Sequence, residues 1–231
     1  MTTSPAPSPP AASAHETGAV PTGLVSKHRI EALTDGLYAI AMTLLVIELK
    51  LGGEHGAITT AQQLNHALAA LFPKMLAWII SFFVLAFFWL GHHRLFQHVR
   101  LVDAQMLWAN IAMLCAASLM PFSSALVGEY AGAFTSQCFY AINLAVLALT
   151  ALWMLYIARK TPALLIAPLA DSVFIPSRFR IVSLIVLCAA AIIIGWFAAP
   201  FATIVFAAMP IVSYVSRSLA AKAQAAETAS G

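Results

Sequence analysis

Long apolar runs alternate with short polar breaks along this chain. The runs at 30–51, 71–91, 104–127 and 133–158 approach the roughly 17–25 apolar residues a helix needs to cross about 30 Å of hydrocarbon. A further block, 181–215, would be about 52 Å long as one helix at 1.5 Å per residue, too long for a single crossing. Ala199-Pro200 lies near its middle and predicts a break, because proline has no amide to donate and its ring clashes with the preceding turn. Splitting the block into two short helices in a tight hairpin gives six spans. None of the runs shows period-two alternation, and backbone in lipid must satisfy its own hydrogen bonds. The expected class is an all-α membrane protein with six transmembrane helices per subunit.

Composition agrees. Of 231 residues, 61% are hydrophobic and 9% charged, and mean hydropathy is +0.88. A soluble domain carries roughly 25% charged residues, so an ordinary soluble enzyme is excluded. A net charge of +3, with basic residues scattered among apolar runs, also argues against nucleic-acid binding. Residues 1–26 are rich in Pro, Ala, Ser and Thr. They have neither a basic n-region nor a continuous apolar core, so they read as a disordered cytoplasmic tail rather than a secretory signal. The stretch 220–231 reads as a second tail, leaving 27–219 as one six-helix domain. Cys115, Cys138 and Cys188 lie inside apolar runs with no CxxC spacing and are expected to be buried, inert thiols.

Charge sets the orientation. Ten of the twelve Lys and Arg residues fall on the side that holds both tails, and only Lys50 and Lys74 fall on the other. The positive-inside rule predicts both termini in the cytoplasm, and the expected location is the plasma membrane. The loop at 50–70 is then external, and its latter part is expected to form a short amphipathic helix leading into the second span.

The first span carries the candidate chemistry. It reads HRIEALTDGLYAIAMTLLVIELK over 28–50, with Arg29, Glu31, Thr34 and Asp35 crowded at its start. An acid beside a membrane is expensive and normally faces a partner or water. At 100° per residue, Leu33, Gly36, Leu37, Ile40, Thr43, Leu44 and Ile47 form one row. Asp35 lies roughly 140° from Ile40, towards the second and third spans, where Arg29, His92 or His93 could pair with it. Taken alone, the row has an ordinary reading, helix packing or lipid contact. Thr43 could simply bond back to the carbonyl of Ala39, and Asp35 could be a capping or snorkelling acid. Glu48 is off the centre of the row, and attraction of cations at the outer mouth stays open. His92, His93 and His98 have no Cys or carboxylate at ligand spacing, so a polar network at the membrane edge is expected there and no metal. Trp89, Trp108, Trp153 and Trp196 need only interfacial or packing roles. No Ser/His/Asp set, P-loop or paired carboxylate lies in the spans, so no enzyme or cofactor is expected.

These residues carry a resemblance. Arg29, three variable residues, then Leu33-Thr34-Asp35 is similar to the first-helix signature of the transmembrane protein 175 family, the endosomal and lysosomal potassium channels, in its bacterial branch. There the signature is arginine, three variable residues and Phe-Ser-Asp. The segment 87–96, with Trp89, His92 and His93, resembles the family's Trp-x-x-His-His closure of the second helix. Residues 103–110 and 119–126 resemble its third helix. The resemblance implies a homotetrameric, modestly selective potassium channel whose pore is lined by four copies of the first helix. It implies a hydrophobic constriction at Ile40, with Leu44 and Ile47 one and two turns further out, and a selectivity role for Thr43. Arg29, Leu33, Thr34, Asp35, His92 and His93 would form a structural lock between helices. Potassium would be the permeant ion, and the partners would be lipid and identical subunits. The rival readings are a proton-coupled or other small-solute secondary transporter and a non-conducting membrane scaffold.

Overall fold

The computed structural model describes residues 26–50 and 60–230. The expected N-terminal tail up to residue 25 and the outer part of the first loop, 51–59, lie outside the described residues. Among the described residues, eight α-helices run in order: α1 Lys27–Ile47, α2 Ala61–Ala70, α3 Phe72–Phe96, α4 Ala104–Ser118, α5 Met120–Glu129, α6 Phe134–Lys160, α7 Asp171–Ala198 and α8 Met209–Ser230. No named strand occurs among the described residues. The helices include several long and apolar enough to cross a membrane, and the chain is a multi-pass membrane protein.

Local chemistry explains the punctuation. The short helix expected before the second span is α2. Thr60 starts it by accepting from the Gln63 amide at 3.2 Å, while the Gln63 side chain accepts from the Thr60 amide at 3.2 Å, a reciprocal cap satisfying two otherwise orphaned donors. The third expected span is interrupted at Leu119. Pro121, in the first turn of α5, cannot donate to the carbonyl four residues back, so the span breaks into α4 and α5. Asp103 caps α4 by accepting from the Met106 amide at 2.8 Å.

The last apolar block breaks where the sequence predicts. Ala198 leaves helical geometry (φ −153°, ψ 67°), and residues Ala199–Ala208 form a 3-10 segment before α8. The chain doubles back there. A Cβ on Gly195 would lie 3.6 Å from that of Ala202, and further along Arg180 and Arg217 line one cavity. The 3-10 segment contributes about 20 Å at 2 Å per residue, so together with the start of α8 it is long enough to return across the bilayer. α8 continues to Ser230, where the sequence suggested a polar tail. Its closing stretch, rich in Ala with Lys222 and Gln224, favours helix by intrinsic propensity.

The core lies where α1, α3, α4, α6 and α7 converge, around Tyr38, Leu85, Phe96, Met106, Met113, Tyr140 and Leu144, each no more than 1% exposed. Several buried polar groups there are paired, although the Tyr38 hydroxyl is not. Ser81 donates to Ser124 at 2.9 Å and lies 3.0 Å from the Tyr140 hydroxyl, and Asn143 donates to Ser123 at 3.2 Å. Thr203 donates to Gln137 at 2.6 Å and ties the 3-10 segment to α6. Cys188 is buried, but Cys115 is exposed, contrary to expectation. In a membrane protein the outward helix faces are apolar too, so an apolar neighbourhood in sequence does not imply burial.

Candidate functional site

α1 is packed on one side only. Ile30, Thr34, Tyr38, Ala41 and Leu45 are buried, recurring every three or four residues and so lying along one face. They meet α3, α4 and α5. Around the helix lies the row Leu33, Gly36, Leu37, Ile40, Thr43, Leu44 and Ile47, exposed except for the half-buried Leu37, with Ile40 at 60% and Ile47 at 57%. The division into two faces expected from helical geometry is thus present. Among the described residues, no other helix covers Ile40, Leu44 or Ile47.

Thr43 donates its hydroxyl proton to the carbonyl of Ile40 at 2.8 Å, one residue later than the Ala39 carbonyl expected for a back-bond. With the proton committed to the backbone, the hydroxyl oxygen keeps its lone pairs free and presents them on the exposed face.

The polar start of α1 is distributed among different partners. Thr34 is fully buried and pairs with Asn110 of α4, which donates to the Thr34 hydroxyl at 3.2 Å. Asp35 lies at the boundary of the packed face, and its carboxylate accepts from the Trp89 indole N–H of α3 at 2.8 Å. The sequence suggests Arg29, His92 or His93 as the partner and an interfacial or packing role for Trp89. The missed signal was available: an indole N–H in an apolar helix must find an acceptor, and Trp89 sits one turn from His93. Those two rings stack, with centroids 5.8 Å apart and an interplanar angle of 19°. His92 is buried against Phe96 with ring centroids 4.0 Å apart. Arg29 is exposed, and Glu31 pairs with Lys27 at 3.7 Å. Leu33 stands with the open row. Of the six residues expected to form a lock between helices, Thr34, Asp35, His92 and His93 are therefore engaged inside the subunit, while Arg29 and Leu33 face outwards.

At the opposite end of the bundle, α3 and α5 approach closely. A Cβ on Gly128 would lie 3.0 Å from the Cα of Lys74, and Lys74 pairs with Glu129 beside it. This contact holds the far end of the helices against which α1 packs. Among the described residues, no group of three His, Cys, Asp or Glu could hold a metal ion.

Residues 29–121 match the model of the family described as endosomal/lysosomal potassium channel TMEM175. A protein from Streptomyces collinus named as a potassium channel is 35% identical over 102 residues, 44% of this chain and 48% of its own length. A rat protein named endosomal/lysosomal proton channel TMEM175 is 33% identical over 103 residues, 43% of this chain and 21% of its own length. The crystal structure of a lysosomal potassium-selective channel TMEM175 homologue from Chamaesiphon minutus superposes with a TM-score of 0.67 at 27% identity, covering 82% of this chain and 97% of that one. The chain spans about half the length of the curated bacterial relatives it matches, 48%, 58% and 49% of three of them. The matched segment contains most of α1 and all of α3 and α4, two of the three helices against which α1 packs.

Proposed function

We propose, from the premise that the chain belongs over residues 29–121 to the endosomal/lysosomal potassium channel TMEM175 family, that it is the subunit of a homotetrameric, potassium-permeable channel in which four copies of α1 surround the pore. The observation that carries this reading is the open row on α1: branched apolar residues one turn apart, a hydroxyl among them, and no helix among the described residues covering Ile40, Leu44 or Ile47.

A single helix cannot enclose a conduit, so identical rows must converge on a symmetry axis. Ile40 forms the constriction, followed outward by Leu44 and Ile47. A ring of aliphatic side chains closes a pore by dewetting, and when it opens it makes an ion shed part of its hydration shell. Potassium holds that shell less tightly than sodium, so its penalty is smaller. The Thr43 oxygen, its proton held by the Ile40 carbonyl, faces the ion with lone pairs and replaces part of the lost water. Aliphatic rings supply no ordered coordination, so selectivity is modest. Thr34, Asp35 and Trp89 work behind the pore, fixing the rotation of α1 against α3 and α4. The orientation is that of the charge count, with both termini in the cytoplasm.

The test is potassium flux into vesicles holding the purified protein, with and without a proton gradient. Flux independent of that gradient, raised or less selective in Ile40→Asn because a polar ring stays wet, is the expected result. Strict dependence on protons would favour the secondary transporter. Current carried by protons alone would match the name of the rat relative instead. An unchanged flux in Ile40→Asn would remove α1 from the conduction path.

A further inference from the structure

A cavity of about 270 Å³ opens between α3, α6, α7 and α8, away from the exposed row of α1. Its walls are mostly apolar, but three arginines, Arg94, Arg180 and Arg217, line it together. The charges of Arg94 and Arg217 act on the half-buried guanidinium of Arg180. Among the described residues, none of the ion pairs includes any of the three; the polar contact of Arg180 is to the Ser177 hydroxyl at 3.4 Å. A buried histidine borders the same space. His92, 6% exposed, lines the cavity, and its Nε2 has no hydrogen-bond partner.

Three like charges gathered without a carboxylate repel one another, and an anion seated among them relieves that repulsion. Their level is informative. Arg180 is the last charged residue before the apolar stretch that begins at Ile181, and Arg94 lies in the last turn of α3. Both therefore sit where hydrocarbon gives way to headgroups. An anion at that level, beside an apolar cavity too small for a whole lipid, is best supplied by a molecule with charge and chain joined.

We propose that this cavity binds an acidic phospholipid of the inner leaflet, its phosphate held by Arg94, Arg180 and Arg217 and part of one acyl chain lying between α3 and α7. The phosphate oxygens accept from the guanidinium groups, for which Arg is the fitted donor. Basic pockets between helices on the cytoplasmic side suit such headgroups. The placement rests on the orientation given by the charge count, not on conduction.

The experiment uses the purified full chain. It is moved between phosphatidylcholine vesicles with and without phosphatidylglycerol, extracted mildly, and analysed for retained lipid by native mass spectrometry. Phosphatidylglycerol should be retained in preference to phosphatidylcholine. Arg217→Gln, at an exposed position that does not endanger folding, should lower that preference about fivefold, as expected for one surface arginine, and Arg180→Gln by at least as much. Arg178→Gln should leave it unchanged, because Arg178 lines a different groove. Equal retention of both lipids would overturn the proposal. So would an Arg178→Gln loss equal to that of Arg217→Gln, which would mean general surface charge. Protection from thermal unfolding by inorganic phosphate as strong as that by phosphatidylglycerol would also overturn it, indicating a free-anion site. The readout contains no flux, so its failure is separable from failure of the channel reading.

Discussion

Removing the donor of the Asp35–Trp89 hydrogen bond tests whether the acid of α1 serves architecture or conduction. Trp89→Phe keeps an aromatic ring in the helix but deletes the indole N–H that lies 2.8 Å from the carboxylate. A hydrogen bond to a charged acceptor contributes about 1.5–3 kcal/mol when sheltered. Asp35 is exposed in the subunit, so water replaces part of what is lost, and about 1 kcal/mol is expected. Asp35→Asn keeps an oxygen acceptor and removes the charge. In a double-mutant cycle, Trp89→Phe should therefore cost less in the Asp35→Asn background than alone, with a coupling of about 0.5–1 kcal/mol. The assay is thermal unfolding in detergent, where 1 kcal/mol corresponds to roughly 2–4 °C for a chain of this size, paired with the potassium-to-sodium flux ratio in vesicles. The ratio should stay constant while stability and assembly fall. Two single effects that add within about 0.3 kcal/mol, together with an altered flux ratio in Asp35→Asn, would refute the reasoning and put the carboxylate in the ion path.

Three further outcomes follow from the packing. Gly128→Ala should lower stability by about 1–3 kcal/mol in the same unfolding assay, since its Cβ would stand 3.0 Å from the Lys74 backbone; Gly91→Ala, with open space around it, should be neutral or stabilising. Tyr140→Phe should cost about 0.5–1.5 kcal/mol, because Ser81 loses its contact at 3.0 Å but keeps Ser124 at 2.9 Å. Thr43→Ala should leave unfolding almost unchanged, since the hydroxyl is bonded only within its own helix, while lowering the potassium-to-sodium flux ratio; an unchanged ratio would leave Thr43 as a helix back-bond.

Hydrophobic pattern and charge, read along the chain, determined the helical membrane class, the break at Ala199-Pro200, the short helix before the second span and the two faces of α1. Each depends on nearest neighbours or on helical periodicity, which sequence carries directly. The split at Leu119 was also written locally, in Pro121, but the continuous hydropathy of the third run concealed it. Tertiary structure decided what lies far apart in sequence. It joined Asp35 to Trp89, 54 residues away, and Thr34 to Asn110, 76 away; it exposed Cys115 while burying Cys188, and it gathered Arg94, Arg180 and Arg217 around one cavity. Such pairings follow from how helices rotate and cross as they pack. In a bilayer hydropathy cannot report that rotation, because lipid accepts an apolar face as readily as another helix does.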